Sequence, residues 1–268
     1  MERQEVKMAF VGGGAMAEAM IRCILAKKVA APQNVVVSDI SSTRRELLSR
    51  EYGVRTLADN RKGVRNAGLI VLAVKPQNLH EVMEGIKGLG REQLVLSIVA
   101  GATVSTLCQG LDHSFVIRAM PNMPAQIGEG MTVWTATTET KARHKKLAQS
   151  VLGALGREIY VADEKYVGMA TALSASGPAY VFLFIEALID AGVHIGLPRD
   201  MAQALVIQTV LGSTGTVEKT GKHPAELRNM VTSPGGTTTD GLFQLEKGRF
   251  RSLVLEAVAA AYEKARRL

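Results

Sequence analysis

Apolar positions in the first half of the chain gather into short continuous runs separated by longer stretches with helical spacing. Residues 8–11, 34–38, 69–74, 94–98 and 115–119 are rich in Val, Ile and Leu. Runs of this kind suit parallel strands buried on both faces. Between them, 15–28, 43–52, 77–87 and 104–111 read as helices, so the pattern predicts βαβ units and a doubly wound sheet. Two further strands are expected at 131–135 and 158–161, with a helix from 138 to 155 between them. Past residue 162 the strand signals nearly vanish. Stretches 166–173, 179–195, 199–220 and 253–267 read as helices, Gly177-Pro178 fits a helix start, and Gly196-Leu197-Pro198 and His223-Pro224 punctuate the rest. The expected organisation is an α/β domain over 1–162 and an all-α domain over 163–268, joined without a Gly- or Ser-rich linker.

Composition sharpens this picture in a few places. Hydrophobic residues make up 47% of the 268, enough for a sizeable core, but aromatic residues only 4%. Ala, Val, Leu, Ile and Gly must therefore do the packing. The formal net charge of +7 raises nucleic acid as a partner. The basic residues, however, sit in short groups such as 143–146 and 264–267, interleaved with acids and without a stripe of stacking aromatics. A field of that sign suits an anionic cofactor and a carboxylate substrate. Cys23 and Cys108 lie far apart, and His80, His113, His144, His194 and His223 are isolated from one another, so no metal site is expected. The charged opening residues contain no apolar signal segment, and no run approaches the ~20 consecutive apolar residues of a membrane helix. A cytoplasmic protein is expected, with neither membrane nor nucleic acid among its partners.

The chemistry of the first half lies where strands end. Val11, Gly12, Gly13, Gly14, Ala15 and Met16 follow the first strand and open the first helix. Gly12, Gly14 and Ala17 occupy the three small-residue positions of a dinucleotide fingerprint: a tight turn, close approach to a pyrophosphate, and close helix–strand packing. This predicts a Rossmann-type domain. Ser38 and Asp39 end the second strand, at about the ~20-residue spacing expected of an acid that bonds the adenine ribose. That carboxylate argues for NADH, while Arg44 and Arg45 just beyond it leave NADPH open. Ala73, Val74, Lys75 and Pro76 close one later strand and Val99, Ala100 and Gly101 another, so both are candidate walls for the ribose and nicotinamide. Asn122 is bracketed by Pro121 and Pro124, which reads either as an amide aimed at the cofactor, making it a candidate cofactor contact, or as a rigid surface turn. Lys75 is equally an ordinary exposed lysine.

In the second half the most distinctive stretch is Val231-Thr232-Ser233-Pro234-Gly235-Gly236-Thr237-Thr238-Thr239-Asp240-Gly241-Leu242. Gly235 and Gly236 precede a helical pattern beginning near Thr237, and bare N–H groups at a helix start suit a carboxylate. The alternative is a Gly-rich turn with a Ser/Thr helix cap. This stretch resembles the signature of the pyrroline-5-carboxylate reductases. So do the run from Thr171 through Ser174-Ala175-Ser176-Gly177-Pro178 to Tyr180, Asp190-Ala191-Gly192-Val193, Gly196-Leu197-Pro198-Arg199, Ala73-Val74-Lys75-Pro76, and Met120-Pro121-Asn122-Met123-Pro124. The matches run in order over nearly the whole chain.

That resemblance implies a Rossmann domain followed by a helical dimerisation and substrate domain, acting on 1-pyrroline-5-carboxylate with NADPH or NADH. It implies that Ser233, Gly235, Gly236 and Thr237 bind the substrate carboxylate and that Thr238 bonds the ring nitrogen as the catalytic residue. Glu164 matches an acidic position lining the substrate site, and Asn60 a cofactor-contacting asparagine after the third strand. It further implies homodimers, built in many members into decamers of five dimers. Hydride passes to the imine carbon, and an iminium substrate brings its own proton, so no catalytic histidine is needed. A hydroxy-acid dehydrogenase would want a Lys or His acid/base, yet Lys165, Lys219, Lys222 and His223 sit in no catalytic motif. A nucleotide-sensing protein without activity would not need the 233–238 chemistry. Some positions depart from the family pattern. Ala175 replaces glycine, Met123 threonine and Gly168 aspartate, and Asp39-Ile40-Ser41 replaces the Asn-Arg-Thr-like run of many NADP-preferring members.

Overall fold

A computed structural model describes residues 6–267; the charged opening, residues 1–5, and the last residue lie outside the described residues. The chain divides into two compact units, one ending at Ser176 and also taking in the residues from Ala261, the other spanning Gly177–Ala260.

The first unit runs β1 (Met8–Val11), α1 (Ala15–Ala26), β2 (Val35–Ser38), α2 (Ser42–Tyr52), β3 (Arg55–Leu57), α3 (Asn60–Val64), β4 (Leu69–Leu72), α4 (Leu79–Ile86), β5 (Leu94–Ser97), α5 (Val104–Leu111), β6 (Val116–Met120), β7 (Gly130–Ala136), α6 (Ala142–Gly153), β8 (Gly156–Tyr160) and α7 (Lys165–Ala170). The eight strands form one sheet in the order β3-β2-β1-β4-β5-β6-β7-β8. β1 to β6 are mutually parallel, β7 runs antiparallel to β6, and β8 is parallel to β7. Alternating residues of the central strands feed opposite faces. Met8, Phe10, Leu69, Val71, Leu94 and Leu96 join one core with α1, α2 and α6, and Ala9, Val11, Ile70, Leu72 and Val95 join another with α3, α4 and α5. The sheet is buried on both sides, which is why its strands read as unbroken apolar runs.

Differences from the sequence reading have local causes. β3 is absent from the apolar runs because it is a three-residue edge strand with no buried residue. α3 is five residues long, too short to show a period. α6 starts at Ala142 rather than near 138. Before it, the Thr137 hydroxyl donates to the Ser114 carbonyl at 2.6 Å and lies 2.6 Å from the Thr140 hydroxyl, holding the chain in a bend.

The second unit holds α8 (Gly177–His194), α9 (Arg199–Thr220), α10 (Pro224–Met230), α11 (Thr237–Lys247) and most of α12 (Phe250–Ala265). α8 and α9 pack closely, since a Cβ on Gly192 would lie 3.0 Å from that of Ala202. Few side chains here are buried: Leu183, Leu211, Phe243 and Leu255 are each more than 60% exposed. Lys165–His194 is, by length and composition only, a helical run apolar enough to cross a membrane, although it includes Glu186 and Asp190.

Candidate active site

The tight turn after β1 requires glycine. Gly12 has φ +96°, and a Cβ there would come within 2.5 Å of the Ala73 carbonyl oxygen. Its N–H donates to the Ser38 carbonyl at 2.8 Å, and the Ala73 N–H donates to the Val11 carbonyl at 2.9 Å. The ends of β1, β2 and β4 are thus stitched together. Around Gly14 the space is open, with nothing within 4 Å of a Cβ position, and no side chain caps α1 there. The free N–H groups at the start of this 12-residue helix, behind an open glycine turn, fit a dinucleotide pyrophosphate.

Asp39 is built into this turn. One carboxylate oxygen accepts the Gly13 N–H at 2.7 Å and the other the Ser41 N–H at 2.8 Å. Arg44 donates to the Gly13 carbonyl at 2.8 and 2.6 Å and to Glu18 at 2.6 Å. Arg45 donates to the carbonyls of Asp39 at 2.7 Å and Ile40 at 3.0 Å. The Arg44 hydrogen bond holds the Glu18 carboxyl below its usual range, against the opposing effect of burial, and the Tyr52 hydroxyl adds to the lowering. Both arginines that follow β2 are therefore committed to the turn.

The ends of the other parallel strands converge on the same edge of the sheet. Ala73 and Val74 are half-buried and Lys75 and Pro76 exposed. Val99 is buried, with its N–H 3.2 Å from the Ser97 hydroxyl, and Gly101 takes φ +77°. Asn60 is the first residue of α3, whose start is capped by Asp59. At the end of β6 the Asn122 amide turns to protein groups: its nitrogen donates to the Ser174 carbonyl at 3.2 Å and hydroxyl at 3.3 Å, and its oxygen accepts the Met131 N–H at 2.9 Å. Glu164 is likewise engaged. One oxygen accepts the Val104 N–H at the start of α5 at 2.8 Å and an Arg118 N–H at 2.7 Å. The Arg118 side chain is only 11% exposed. Ser174 falls within the family-like run from Thr171 to Tyr180, but sequence reasoning assigned no role to it or to Arg118, and no periodicity marks either.

In the second unit, residues 233–236 form a tight turn. The Gly236 N–H donates to the Ser233 carbonyl at 3.1 Å, with Gly235 at φ +67°. The Thr239 hydroxyl donates to the same carbonyl at 2.8 Å. A Cβ on Gly236 would lie 2.5 Å from the Ser233 hydroxyl. Gly236 is the N-cap of α11, and no side chain caps the helix. Of the two readings left open by the sequence, the Ser/Thr cap is not formed. The first N–H groups of an 11-residue helix stand beside the hydroxyls of Thr237 and Thr238, Thr238 being half-buried. A cavity of about 910 Å³ lies elsewhere, among exposed charged residues including Arg61, Arg65 and Arg91, and contains none of these groups.

Comparison with known proteins adds to this geometry. The family described as pyrroline-5-carboxylate reductase dimerisation matches residues 164–268. The family described as NADP oxidoreductase, coenzyme F420-dependent, matches residues 7–101. The chain is 41% identical to the pyrroline-5-carboxylate reductase of Synechocystis over 98% of both chains. It is 38% identical to that of Arabidopsis thaliana, over 99% of this chain and 96% of the relative. Among solved structures, a Plasmodium falciparum pyrroline carboxylate reductase with NADP bound superposes with a TM-score of 0.90 at 33% identity, covering 99% of this chain and 98% of that one.

Proposed function

The chain belongs to the pyrroline-5-carboxylate reductase family and reduces 1-pyrroline-5-carboxylate to proline with a nicotinamide cofactor, and we propose how its residues divide that task. The carrying observation is the full-length match to the Synechocystis enzyme. The uncapped starts of α1 and α11 support the division of labour.

In this reading Val11, Gly12, Gly13, Gly14, Ala15 and Met16 receive the pyrophosphate, and Ser38 and Asp39 hold the adenosine ribose. Asn60, Ala73, Val74, Lys75, Pro76, Val99, Ala100 and Gly101 line the remainder of the cofactor. The bound nicotinamide supplies the hydride. Ser233, Gly235, Gly236 and Thr237 hold the substrate carboxylate on the α11 N-terminus. The Thr238 hydroxyl oxygen accepts the N–H of the protonated ring nitrogen and orients the iminium. The gain comes from positioning and from a fixed hydroxyl dipole rather than from a titrating base. Glu164, assigned to the substrate, also ties α5 to β6 through Val104 and Arg118. The division of domains is taken at residues 162 and 163. The second domain self-associates, and the proposed assembly is a decamer of five dimers, which sedimentation distinguishes from a lone dimer. The proposed location is the cytoplasm, in keeping with the free thiols of Cys23 and Cys108.

The proposed cofactor preference is NADH. The Asp39 carboxylate stands at the end of β2, and Arg44 and Arg45, the cations nearest in sequence for a 2′-phosphate, already bond Gly13, Glu18, Asp39 and Ile40. Comparing kcat/KM for NADH and NADPH tests this. NADH should be favoured, and Asp39→Ser should raise the NADPH/NADH ratio while weakening NADH itself, because Gly13 loses its anchor. A wild-type preference for NADPH, or a ratio unmoved by the substitution, would remove Asp39 from the reading.

A further inference from the structure

We propose that the Ser174 hydroxyl donates to the carboxamide oxygen of the nicotinamide, and that Asn122 is the positioning residue that aims it. Residues Thr171–Ala175 form a single π-helical turn between α7 and α8, closed by the Ser176 N–H donating to the Thr171 carbonyl at 3.0 Å. Such turns are rare, are less regular than the α-helix around them and concentrate at functional sites. This one is held from outside. The Asn122 oxygen accepts the Met131 N–H, which fixes the amide's orientation and leaves its NH₂ facing Ser174. That NH₂ donates to both the carbonyl and the hydroxyl oxygen of Ser174.

A hydroxyl that receives a hydrogen bond still has its own proton to donate. Among the described residues no acceptor takes the Ser174 O–H, and the side chain is half-exposed. Asn122 follows β6, on the edge of the sheet that carries the turns after β1, β4 and β5, all parallel to it. In this strand order β1 is the point of reversal. Asp39 lies on the β2 side, which leaves the β4–β6 side for the nicotinamide. A half-exposed O–H with no acceptor among the described residues suits a carbonyl acceptor there. A bond to the carboxamide would set which face of the nicotinamide ring meets the imine. The inference rests on the reading that the dinucleotide lies along this edge.

The test compares NADH with thio-NADH, in which the carboxamide oxygen is sulfur, in wild type, Ser174→Ala, Ser174→Thr and Asn122→Ala. Ser174→Ala should lower kcat with NADH by about 10-fold, the scale of one lost positioning contact, with NADH affinity by nicotinamide fluorescence held within about 3-fold. The penalty for replacing oxygen by sulfur should shrink several-fold in Ser174→Ala and in Asn122→Ala, and stay near wild type in Ser174→Thr. A folded Ser174→Ala protein that binds NADH and keeps the full sulfur penalty, or that changes only the KM for the imine, overturns the proposal alone. Failure of the wild type to bind either NADH or NADPH overturns the edge reading with it.

Discussion

Thr238 is the second residue of α11, half-buried, next to backbone N–H groups that no side chain caps. Thr238→Ala should lower kcat by about 10- to 1000-fold, the range for one positioned polar group. Thr238→Ser, which keeps the hydroxyl, should retain most activity, and cofactor affinity should be unmoved in both. Near-normal kcat in folded Thr238→Ala would remove its role. Glu164 makes a different prediction, because its carboxylate satisfies the nearly buried Arg118 and the Val104 N–H. Glu164→Ala should destabilise the fold by about 1–3 kcal/mol through the unpaired guanidinium, in addition to any rise in substrate KM. An unchanged unfolding midpoint would mean that Arg118 does not depend on it. At this scale the sequence was most legible where backbone geometry dictates residue type, as at Gly12 and Gly235, whose positive φ angles suit glycine. The partners of Glu164 and Asn122 were not legible. Val104 and Arg118 lie 60 and 46 positions from Glu164, and Ser174 lies 52 from Asn122, and only the fold brings them together.

Elements were legible in proportion to the length and strength of their apolar pattern and their end signals. β1, with all four residues buried, reads directly from its apolar run, and α5 and α9 begin and end where their patterns do. The edge strand β3 and the short α3 and α10 carry too little periodicity to be seen. The π-helical turn was invisible because the helical pattern read over 166–173 breaks off inside it and gives no sign of a widened turn at Thr171–Ala175. The Asn122 amide, which bonds Ser174 within this turn, is remote in sequence. α6 carries a pH dependence of its own. His144 is buried against Phe115, with ring centroids 4.9 Å apart, and its Nδ1 has no hydrogen-bond partner among the described residues. Burial, then the positive charges of Arg143, Lys141 and His113, push its pKa down. The unfolded chain therefore binds the proton more readily than the folded one. The stabilising contribution is complete above the unfolded value, about 6.5, and is lost as pH falls from there through the lower folded value. The unfolding midpoint should drop across that window in wild type and drop less in His144→Leu. Equal slopes in the two proteins would place the titration elsewhere.

Across the whole molecule, two units with opposite surfaces explain why one chain needs a second copy. The sheet-based unit buries its apolar residues internally. The helical unit leaves Leu183, Leu211, Phe243 and Leu255 mostly exposed, and it falls within the residues matched to a dimerisation family. An exposed apolar surface of this kind is covered by association, which also accounts for a helix as apolar as Lys165–His194 without a membrane. The organisation into a doubly wound domain and a helical one was readable from periodicity alone. The use of the helical one was readable only from the 233–238 resemblance, because its apolar faces look like ordinary core positions. The central claim is tested most directly by mixing the purified chain with 1-pyrroline-5-carboxylate and NADH or NADPH and following cofactor absorbance together with amino-acid product. One proline formed for each nicotinamide oxidised, with turnover abolished or sharply reduced in Thr238→Ala, is the expected result. A folded, dinucleotide-binding protein that oxidises neither cofactor in the presence of the imine would contradict it.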